Sequence, residues 1–180
     1  MFCGILLVLV PLLSSVARSG EAASQQGPDG HCYAGMSCWP SDDVWIKWAN
    51  TLSGEILFPT CPKYANFTIM TNTRVTRYPY VVAMVETVGD VLKTVLFANE
   101  HHIRLSVRSS GHDYIGRSTS DSCIQINLYK MKGLNIQLNS TRHPDGIVMA
   151  QSGNSWIRVY EEVIRLLMVC VTLYCKGLSY

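Results

Sequence analysis

The sequence predicts an α+β fold, and three observations support this. A continuous apolar run at residues 80–85 is typical of a buried strand. A helical apolar repeat and a second, alternating strand pattern follow at residues 88–96 and 103–108. Three more strand-like runs and an amphipathic helix come next, at residues 123–128, 133–138 and 147–151 and from Ser155 onward. We therefore expect a small parallel β-α-β subdomain followed by an antiparallel sheet with helices.

The N-terminal part of the chain carries one predicted helix. Ser41 is placed to cap it, and the apolar residues near helical spacing are Val44, Trp45, Trp48 and Leu52. An aromatic pair at this spacing indicates core packing rather than a ligand site. Residues 58–79 contain several prolines and many Asn and Thr residues, so we interpret them as a linker or an extended excursion. A domain boundary is placed near Arg77.

The next section alternates strand, helix and strand. Thr87 is placed to cap a helix whose apolar residues are Val88, Val91, Leu92, Val95 and Leu96. A strand-helix-strand unit of this length favours parallel pairing with a right-handed crossover. The segment after residue 108 would then leave the carboxyl end of a parallel strand, where open α/β sheets generally bind ligands.

After that segment, short strands and one long helix complete the pattern. The run from His143 to Gly146 is a strong turn signal between two of the strands. Ser155 is placed to cap the last helix, with an inward stripe predicted at Trp156, Val159, Tyr160, Val163 and Leu167. Glu161 and Arg165 are spaced for an i,i+4 ion pair.

Composition excludes some classes of function. A net charge of +2 and a pI near 8.2, without a run of Lys or Arg, do not favour a nucleic-acid partner. Neither Cys32 with Cys38 nor Cys170 with Cys175 is taken as a zinc-ligand pair, and His101 and His102 would point to opposite faces of one element, so no metal site is expected.

The N-terminus predicts export. Residues 2–13 are almost wholly apolar, small residues follow at Ser15 and Ala17, and the run is shorter than the roughly 20 residues that span a bilayer. We assign residues 1–17 to a signal peptide, 18–77 to an N-terminal segment with a loop and short helix, and 78–180 to the main domain. A secreted chain with no stable membrane insertion is expected.

Cysteines and sequons fit the same compartment. Of seven cysteines, Cys3 would leave with the signal peptide, and the other six permit several disulfide patterns. The first disulfide is expected among Cys32, Cys38 and Cys61. Asn66 and Asn139 begin glycosylation sequons.

Residues 109–118, hereafter the His112 loop, are the candidate site. Ser109, Ser110 and Gly111 permit a tight turn whose backbone amides bind an anion, and Arg108 and Arg117 would add positive potential at its two ends. His112 would lie beside whatever the bound phosphates carry.

The segment 108–114, Arg-Ser-Ser-Gly-His-Asp-Tyr, followed by Gly116-Arg117-Ser118, resembles the phosphate-binding loop of the berberine bridge enzyme-like FAD-linked oxidoreductases. These belong to the vanillyl-alcohol oxidase (PCMH-type) superfamily. The similarity covers residues 38–163 and includes Cys-Trp-Pro-Ser at 38–41 and Gln-Ser-Gly-Asn at 151–154, which resembles a second approach of backbone to the cofactor. Ser110 departs from the pattern, because many members have glycine there, and this puts a positive φ at that position in question.

The resemblance implies a PCMH-type FAD-binding domain, incomplete at its C-terminus. It implies that His112 attaches covalently to the 8α-methyl of the flavin and that the loop amides bind the pyrophosphate. The implied cofactor-binding residues are Arg108, Ser109, Ser110, Gly111, His112, Asp113, Gly116, Ser118 and Gly153. The implied activity is oxidation of an alcohol, sugar or related small molecule, with oxygen as electron acceptor.

The resemblance ends before residues 168–180. Neither Cys170 nor Cys175 lies in a matching glycine-rich context, so a second covalent flavin bond is not inferred, and the catalytic residues stay unknown. One alternative is a truncated or alternatively spliced product that keeps only the flavin-binding half and lacks catalytic competence. Another is a secreted binding module in which all six remaining cysteines are paired.

Overall fold

The computed structural model describes residues 26–70 and 72–177, and the side chains as far as residue 167. The α+β fold class is confirmed. The elements are α1 (Asp42–Ala49), β1 (Glu55–Leu57), α2 (Tyr64–Thr68), β2 (Val81–Met84), α3 (Val88–Glu100), β3 (Leu105–Arg108), β4 (Ile124–Asn127), β5 (Leu134–Gln137), β6 (Ile147–Ala150) and α4 (Trp156–Gly177). The predicted signal peptide, Cys3 and the side chains of Cys170 and Cys175 lie outside the described residues.

The main sheet has the strand order β1-β2-β4-β3. Both β2 and β3 run parallel to β4, with Val81 and Leu105 each opposite Ile124, whereas β1 pairs antiparallel with β2. The prediction that β2 and β3 are parallel is confirmed, but β4 lies between them. Placing residues 123–128 in the antiparallel sheet was therefore wrong. All four residues of β4 are buried, as expected for a central parallel strand covered on both faces.

The antiparallel sheet contains only β5 and β6, joined by the predicted turn. Gly146 N–H donates to His143 O at 3.1 Å, and Gly146 has φ +89°. A Cβ on Gly146 would stand 2.5 Å from Gln137 O, so a side chain cannot be accepted here without moving the backbone.

Aromatic side chains form the part of the core around α1. Trp45 and Trp48 of α1 are 2% and 6% exposed, and Trp48 stacks on Phe97 of α3 with ring centroids 4.7 Å apart. The core interpretation of this tryptophan pair is confirmed. The same cluster includes Val81 of β2, so side chains from both sides of Arg77 share one core, and the boundary near Arg77 stays a prediction.

Residues 58–79 pack against the sheet, unlike a free linker. The strand β1 adds to the sheet just before them, and α2 packs Tyr64 beneath the sheet in a second cluster with Leu57 and Val82. Tyr64 Oη donates to Pro79 O at 2.5 Å. This segment is therefore fastened to the sheet at both ends.

The helix α3 is confirmed, but the side of the helix that is buried differs from the predicted one. Thr87 caps it through a reciprocal capping box with Asp90. The inward residues are Asp90, Thr94, Phe97 and Ala98, whereas much of the predicted apolar repeat is exposed: Val88, Leu92, Val95 and Leu96. The repeat correctly predicted a helix. Its polar residues Asp90 and Thr94 face inward, where Asp90 accepts the amides of Ser53, before β1, and Glu86, after β2, and Thr94 Oγ1 donates to Asp90 O.

The helix α4 begins where predicted, and Arg158 N–H reaches Ser155 Oγ at 3.5 Å. Its predicted inward stripe is wrong for most members. Of that stripe, Val159 is buried, whereas the exposed members are Trp156, Tyr160 and Leu167. No part of the described chain covers this face. Arg165 pairs with Glu162 at 2.7 Å rather than with Glu161.

Cys32 and Cys38 form a disulfide, which confirms the expected pairing in the N-terminal segment. Cys123 is a buried thiol 3.2 Å from Ser106 Oγ, so a module with all six cysteines paired is contradicted. No helix in residues 26–70 and 72–177 combines the length and hydropathy that crossing a membrane requires.

Candidate functional site

The His112 loop begins directly after β3 and so leaves the carboxyl end of a parallel strand, as predicted. Ser109, Ser110 and His112 are exposed. The ring nitrogens of His112 have no hydrogen-bond partner in the described part of the chain. The imidazole is therefore available to a molecule bound on this edge of the sheet.

The backbone at the start of the loop offers donors. Within the described residues, the amides of Ser110, Gly111 and Asp113 donate to no acceptor, whereas His112 N–H reaches Ser110 Oγ at 3.4 Å. Positive φ falls on Gly111 (+79°) and Gly116 (+78°) and not on Ser110. The serine at 110 thus meets no conformational barrier, and the loop keeps successive amides for an anion.

The side chain of Arg108 lies behind this turn, against the end of α2, rather than at the exposed edge of the loop. Its guanidinium donates to the carbonyl oxygens of Phe67 at 2.8 Å and Ile69 at 3.1 Å, at the C-terminus of α2. A Cβ on Gly111 would stand 2.8 Å from Arg108 Nε. Burial lowers the pKa of the guanidinium, which still remains charged. Arg108 therefore supplies positive potential from behind the loop.

Asp113 organises the turn that follows His112. Its Oδ1 accepts the amides of Ile115 at 3.0 Å and Arg117 at 3.2 Å, and its Oδ2 accepts Arg117 Nε at 2.6 Å. The Arg117 side-chain hydrogen bond, followed by the two amides, outweighs desolvation and lowers the pKa of Asp113. The predicted contribution of Arg117 to the anion site is reduced, because this carboxylate neutralises its charge.

The far side of the same turn is held by two side chains that the sequence did not indicate. Asn72 Nδ2 donates to Tyr114 O at 2.7 Å, and Arg77 Nη2 donates to Ile115 O and to Gly116 O, each at 3.0 Å. Both belong to the segment interpreted as a linker. Asn, Arg and Thr in a proline-rich stretch gave no signal, since such composition is typical of loops.

The turn at residues 151–154, for which the resemblance implied a second approach of backbone to the cofactor, contacts the His112 loop. Ser109 Oγ contacts Ser152 O. Gly153 is buried, and a Cβ there would stand 2.2 Å from Leu128 O, so this glycine is required by packing onto the end of β4.

The structure thus divides the predicted site residues into two groups. Ser109, Ser110, Gly111 and His112 lie together at the exposed edge. The others lie behind them and shape the loop: Arg108, Asp113, Gly116, Ser118 and Gly153. Ser118, for example, offers its carbonyl to Gln125 Nε2 at 3.0 Å. Both sequon asparagines, Asn66 and Asn139, are exposed.

An α+β domain with unengaged amides and an exposed imidazole at the end of a parallel strand has the features of a dinucleotide-binding domain. Residues 79–176, more than half of the chain, match the family model described as FAD binding domain. The chain belongs to this family, and the resemblance to FAD-linked oxidoreductases is confirmed.

Known proteins agree with this assignment. The chain is 26% identical to an uncharacterised FAD-linked oxidoreductase of Arthroderma benhamiae, over 72% of this chain and 31% of the relative. It is 29% identical to the FAD-linked oxidoreductase easE of Claviceps fusiformis, over 64% of this chain and 20% of the relative. The chain therefore spans about a third or less of these relatives.

Solved structures show the same fold. A berberine bridge enzyme-like protein of Arabidopsis thaliana superposes with a TM-score of 0.57 at 18% identity, covering 69% of this chain and 25% of that one. A vanillyl-alcohol oxidase-type flavoprotein of Myceliophthora thermophila gives 0.52 at 22% identity, covering 64% and 28%. The fold is that of the vanillyl-alcohol oxidase-type flavoproteins.

The residues present fit FAD. The unengaged amides of Ser110 and Gly111 suit a pyrophosphate, and the half-buried guanidinium of Arg108 would add positive charge behind them. His112 follows Gly111 directly in the loop. Asp113, the one carboxylate of the His112 loop, directs both of its oxygens to Arg117 and to the turn amides, so it would not oppose an anion bound at the start of the loop.

Proposed function

We propose that this chain is the FAD-binding portion of a flavin-dependent oxidoreductase in which His112 carries the flavin covalently at its 8α-methyl. The observation that carries the proposal is the juxtaposition of the exposed imidazole with the amides of Ser110 and Gly111, none of which has a hydrogen-bond partner in the part of the chain that the structure describes. A dinucleotide whose pyrophosphate occupies those amides keeps its flavin end near His112.

The residues of the site would have distinct roles in binding FAD. Amides of the His112 loop bind the pyrophosphate, Arg108 stabilises its charge, and the turn at residues 151–154 closes the second side. When bound, FAD supplies the two-electron redox chemistry, and the protein supplies binding and orientation. His112 would fix the position of the ring.

The wider activity proposed is oxidation of an alcohol, sugar or related small molecule with oxygen as acceptor. We propose secretion as well, with glycans on Asn66 and Asn139. The Cys32–Cys38 disulfide supports an oxidising compartment, and the exposure of both asparagines leaves them accessible for glycosylation. The expected partners are a small-molecule substrate and oxygen, without nucleic acid and without stable membrane insertion.

The direct test compares three proteins expressed with excess FAD: wild type, His112→Ala and His143→Ala. His143 is an exposed histidine on the β5–β6 turn and serves as the matched control. After denaturation and removal of free flavin, we expect flavin absorbance and a mass increase on the His112 peptide in wild type and His143→Ala only. Unmodified wild-type peptide with no flavin bound would contradict the proposal.

The alternative function, a catalytically incompetent product, is favoured by a specific observation. The apolar faces of α3 and α4, with Leu92 58% and Trp156 73% exposed, have no cover in the described residues. A chain that holds little FAD and binds a hydrophobic dye strongly would support this alternative. A chain that retains FAD through dilution would favour the first function.

A further inference from the structure

The turn at residues 113–117 is held from two directions. Its amides at Ile115 and Arg117 donate to Asp113, while its carbonyls at Tyr114, Ile115 and Gly116 accept from Asn72 and Arg77. In a trans peptide the N–H and C=O point in opposite directions. Both polar sides of this turn are therefore engaged, in contrast to the unengaged amides just before it.

The carbonyl side is attached to the sheet. Arg77 lies four residues before β2, and its own carbonyl accepts Thr119 Oγ1 at 3.3 Å. Gly116 is buried against it, since a Cβ on Gly116 would stand 2.7 Å from both Arg77 Nη2 and Val75 Cγ1. The chain on either side of Arg77 thus provides a fixed support on which the turn rests.

Asn72 also has a constrained side chain. Its Oδ1 accepts Arg74 N–H at 3.1 Å, which directs Nδ2 toward Tyr114 O at 2.7 Å. Because oxygen and nitrogen of the amide are both used, only asparagine among residues of its size satisfies the two contacts. Asn72 Nδ2 and Arg77 Nη2 donate to carbonyls of the turn, so these contacts hold the backbone.

We infer that Asn72 and Arg77 are positioning residues for His112: by holding the carbonyls of residues 114–116 they fix the turn that sets where the imidazole lies. The functional effect of these residues rests on the proposed function: a displaced His112 would react slowly with a flavin that still binds. A misplacement of one ångström in a reacting group can cost up to about 100-fold in rate.

The test uses the full chain and four variants. Arg77→Met removes the guanidinium and keeps the length of the side chain, Arg77→Lys keeps a cation, and Asn72→Asp keeps Oδ1 and removes the amide donor. Arg74→Met is the matched control, because Arg74 is exposed and its side chain makes no hydrogen bond or ion pair with the His112 loop in the described structure.

Two measurements are made on each protein. Hydrogen exchange without flavin reports the protection of the Ile115 and Arg117 amides, and mass spectrometry follows the rate at which FAD becomes attached to the His112 peptide. We expect exchange at the turn to rise by about tenfold in Arg77→Met and Asn72→Asp, the effect of one hydrogen bond of typical strength. We expect attachment to slow in both, with partial recovery in Arg77→Lys and wild-type behaviour in Arg74→Met.

The outcomes separate this inference from the proposed function. Wild-type exchange and attachment rates in both Arg77→Met and Asn72→Asp would overturn the inference, as would an equal loss in Arg74→Met. If wild type attaches no FAD, the proposed function fails, and the exchange data still decide whether these residues fix the turn. If Arg77→Met does not fold, Asn72→Asp gives the decision.

Discussion

The guanidinium of Arg108 lies directly against the backbone of Gly111, so closely that a Cβ on the glycine would stand 2.8 Å from Arg108 Nε. The guanidinium cannot simply withdraw, because it donates to Phe67 O at 2.8 Å and to Ile69 O at 3.1 Å. The absence of a side chain at 111 thus permits both the loop conformation and the position of the cation beneath it.

Gly111→Ala tests this relationship. Gly111 has φ +79°, a conformation that costs an L-residue about 1–2 kcal/mol, and the new methyl would also displace Arg108. We expect the free energy of unfolding, measured by urea denaturation, to fall by at least about 1 kcal/mol. FAD binding should weaken in parallel.

Gly89→Ala is the control for that substitution. Gly89 lies in α3, and a Cβ there meets only Thr87 Oγ1, at 3.5 Å. Alanine should stabilise the helix by about 0.4–1 kcal/mol. Equal effects of the two substitutions would contradict the assigned role of Gly111.

The buried carboxylate of Asp90 should make stability depend on pH. Burial raises its pKa, but the amides of Ser53, Glu86 and Thr87 donate to it at 2.9–3.1 Å and the net pKa is lowered. A lowered folded pKa stabilises above the unfolded value of about 3.9, and this stabilisation is lost as pH falls through the folded pKa. We expect the free energy of unfolding to drop as the solution is acidified below about pH 4.

Asp90→Asn should remove that part of the acid sensitivity. At neutral pH it should cost about 1–3 kcal/mol, because an amide group replaces one acceptor oxygen among three backbone donors. Urea denaturation across the acid range measures both effects. Asp43→Asn, an exposed position in the first turn of α1, should leave the pH profile close to that of wild type.

Removing the Cys32–Cys38 disulfide should lower stability modestly. The bond closes a loop with a sequence separation of only 6, so the double substitution to alanine should cost about 2 kcal/mol by the loop-entropy relation. Alkylation of unreduced, unfolded wild type should label Cys123 and leave Cys32 and Cys38 unlabelled. Labelling of Cys32 and Cys38 would contradict the assigned pairing.

The exposed face of α3 should tolerate charge. Leu92 and Leu96 are 58% and 57% exposed, so Leu92→Glu combined with Leu96→Lys should raise soluble yield and change the free energy of unfolding by no more than about 0.5 kcal/mol. Phe97→Glu, on the buried face, should unfold the protein. A large loss of stability in the double variant would mean that this face is covered.

The predictable part of the structure is the local part. Helix periodicity located α3 and α4, Thr87 marked a helix start, and the His143–Gly146 turn formed as its residues require. The loop position followed from chain direction alone, because β3 and its neighbours run parallel. These features depend on residues close together in sequence.

The sequence pattern did not predict which strands and side chains from distant parts of the chain lie together. An apolar run at residues 124–127 does not identify its neighbours, so its place between β2 and β3 was missed. The inward face of α3 was missed because Asp90 is satisfied by amides of distant residues such as Ser53. Asn72 and Arg77 were missed for the same reason, since both act on carbonyls about forty residues away.

The insertion of β4 beside β3 has a kinetic consequence. These two strands are adjacent, yet the chain between them, residues 109–123, has no helix or strand and includes the whole His112 loop. Closing that connection is an entropic step that must precede completion of the sheet's centre. The segment proposed to hold the cofactor must thus also close during folding, and substitutions in it should slow refolding even where they leave the native contacts of the sheet intact.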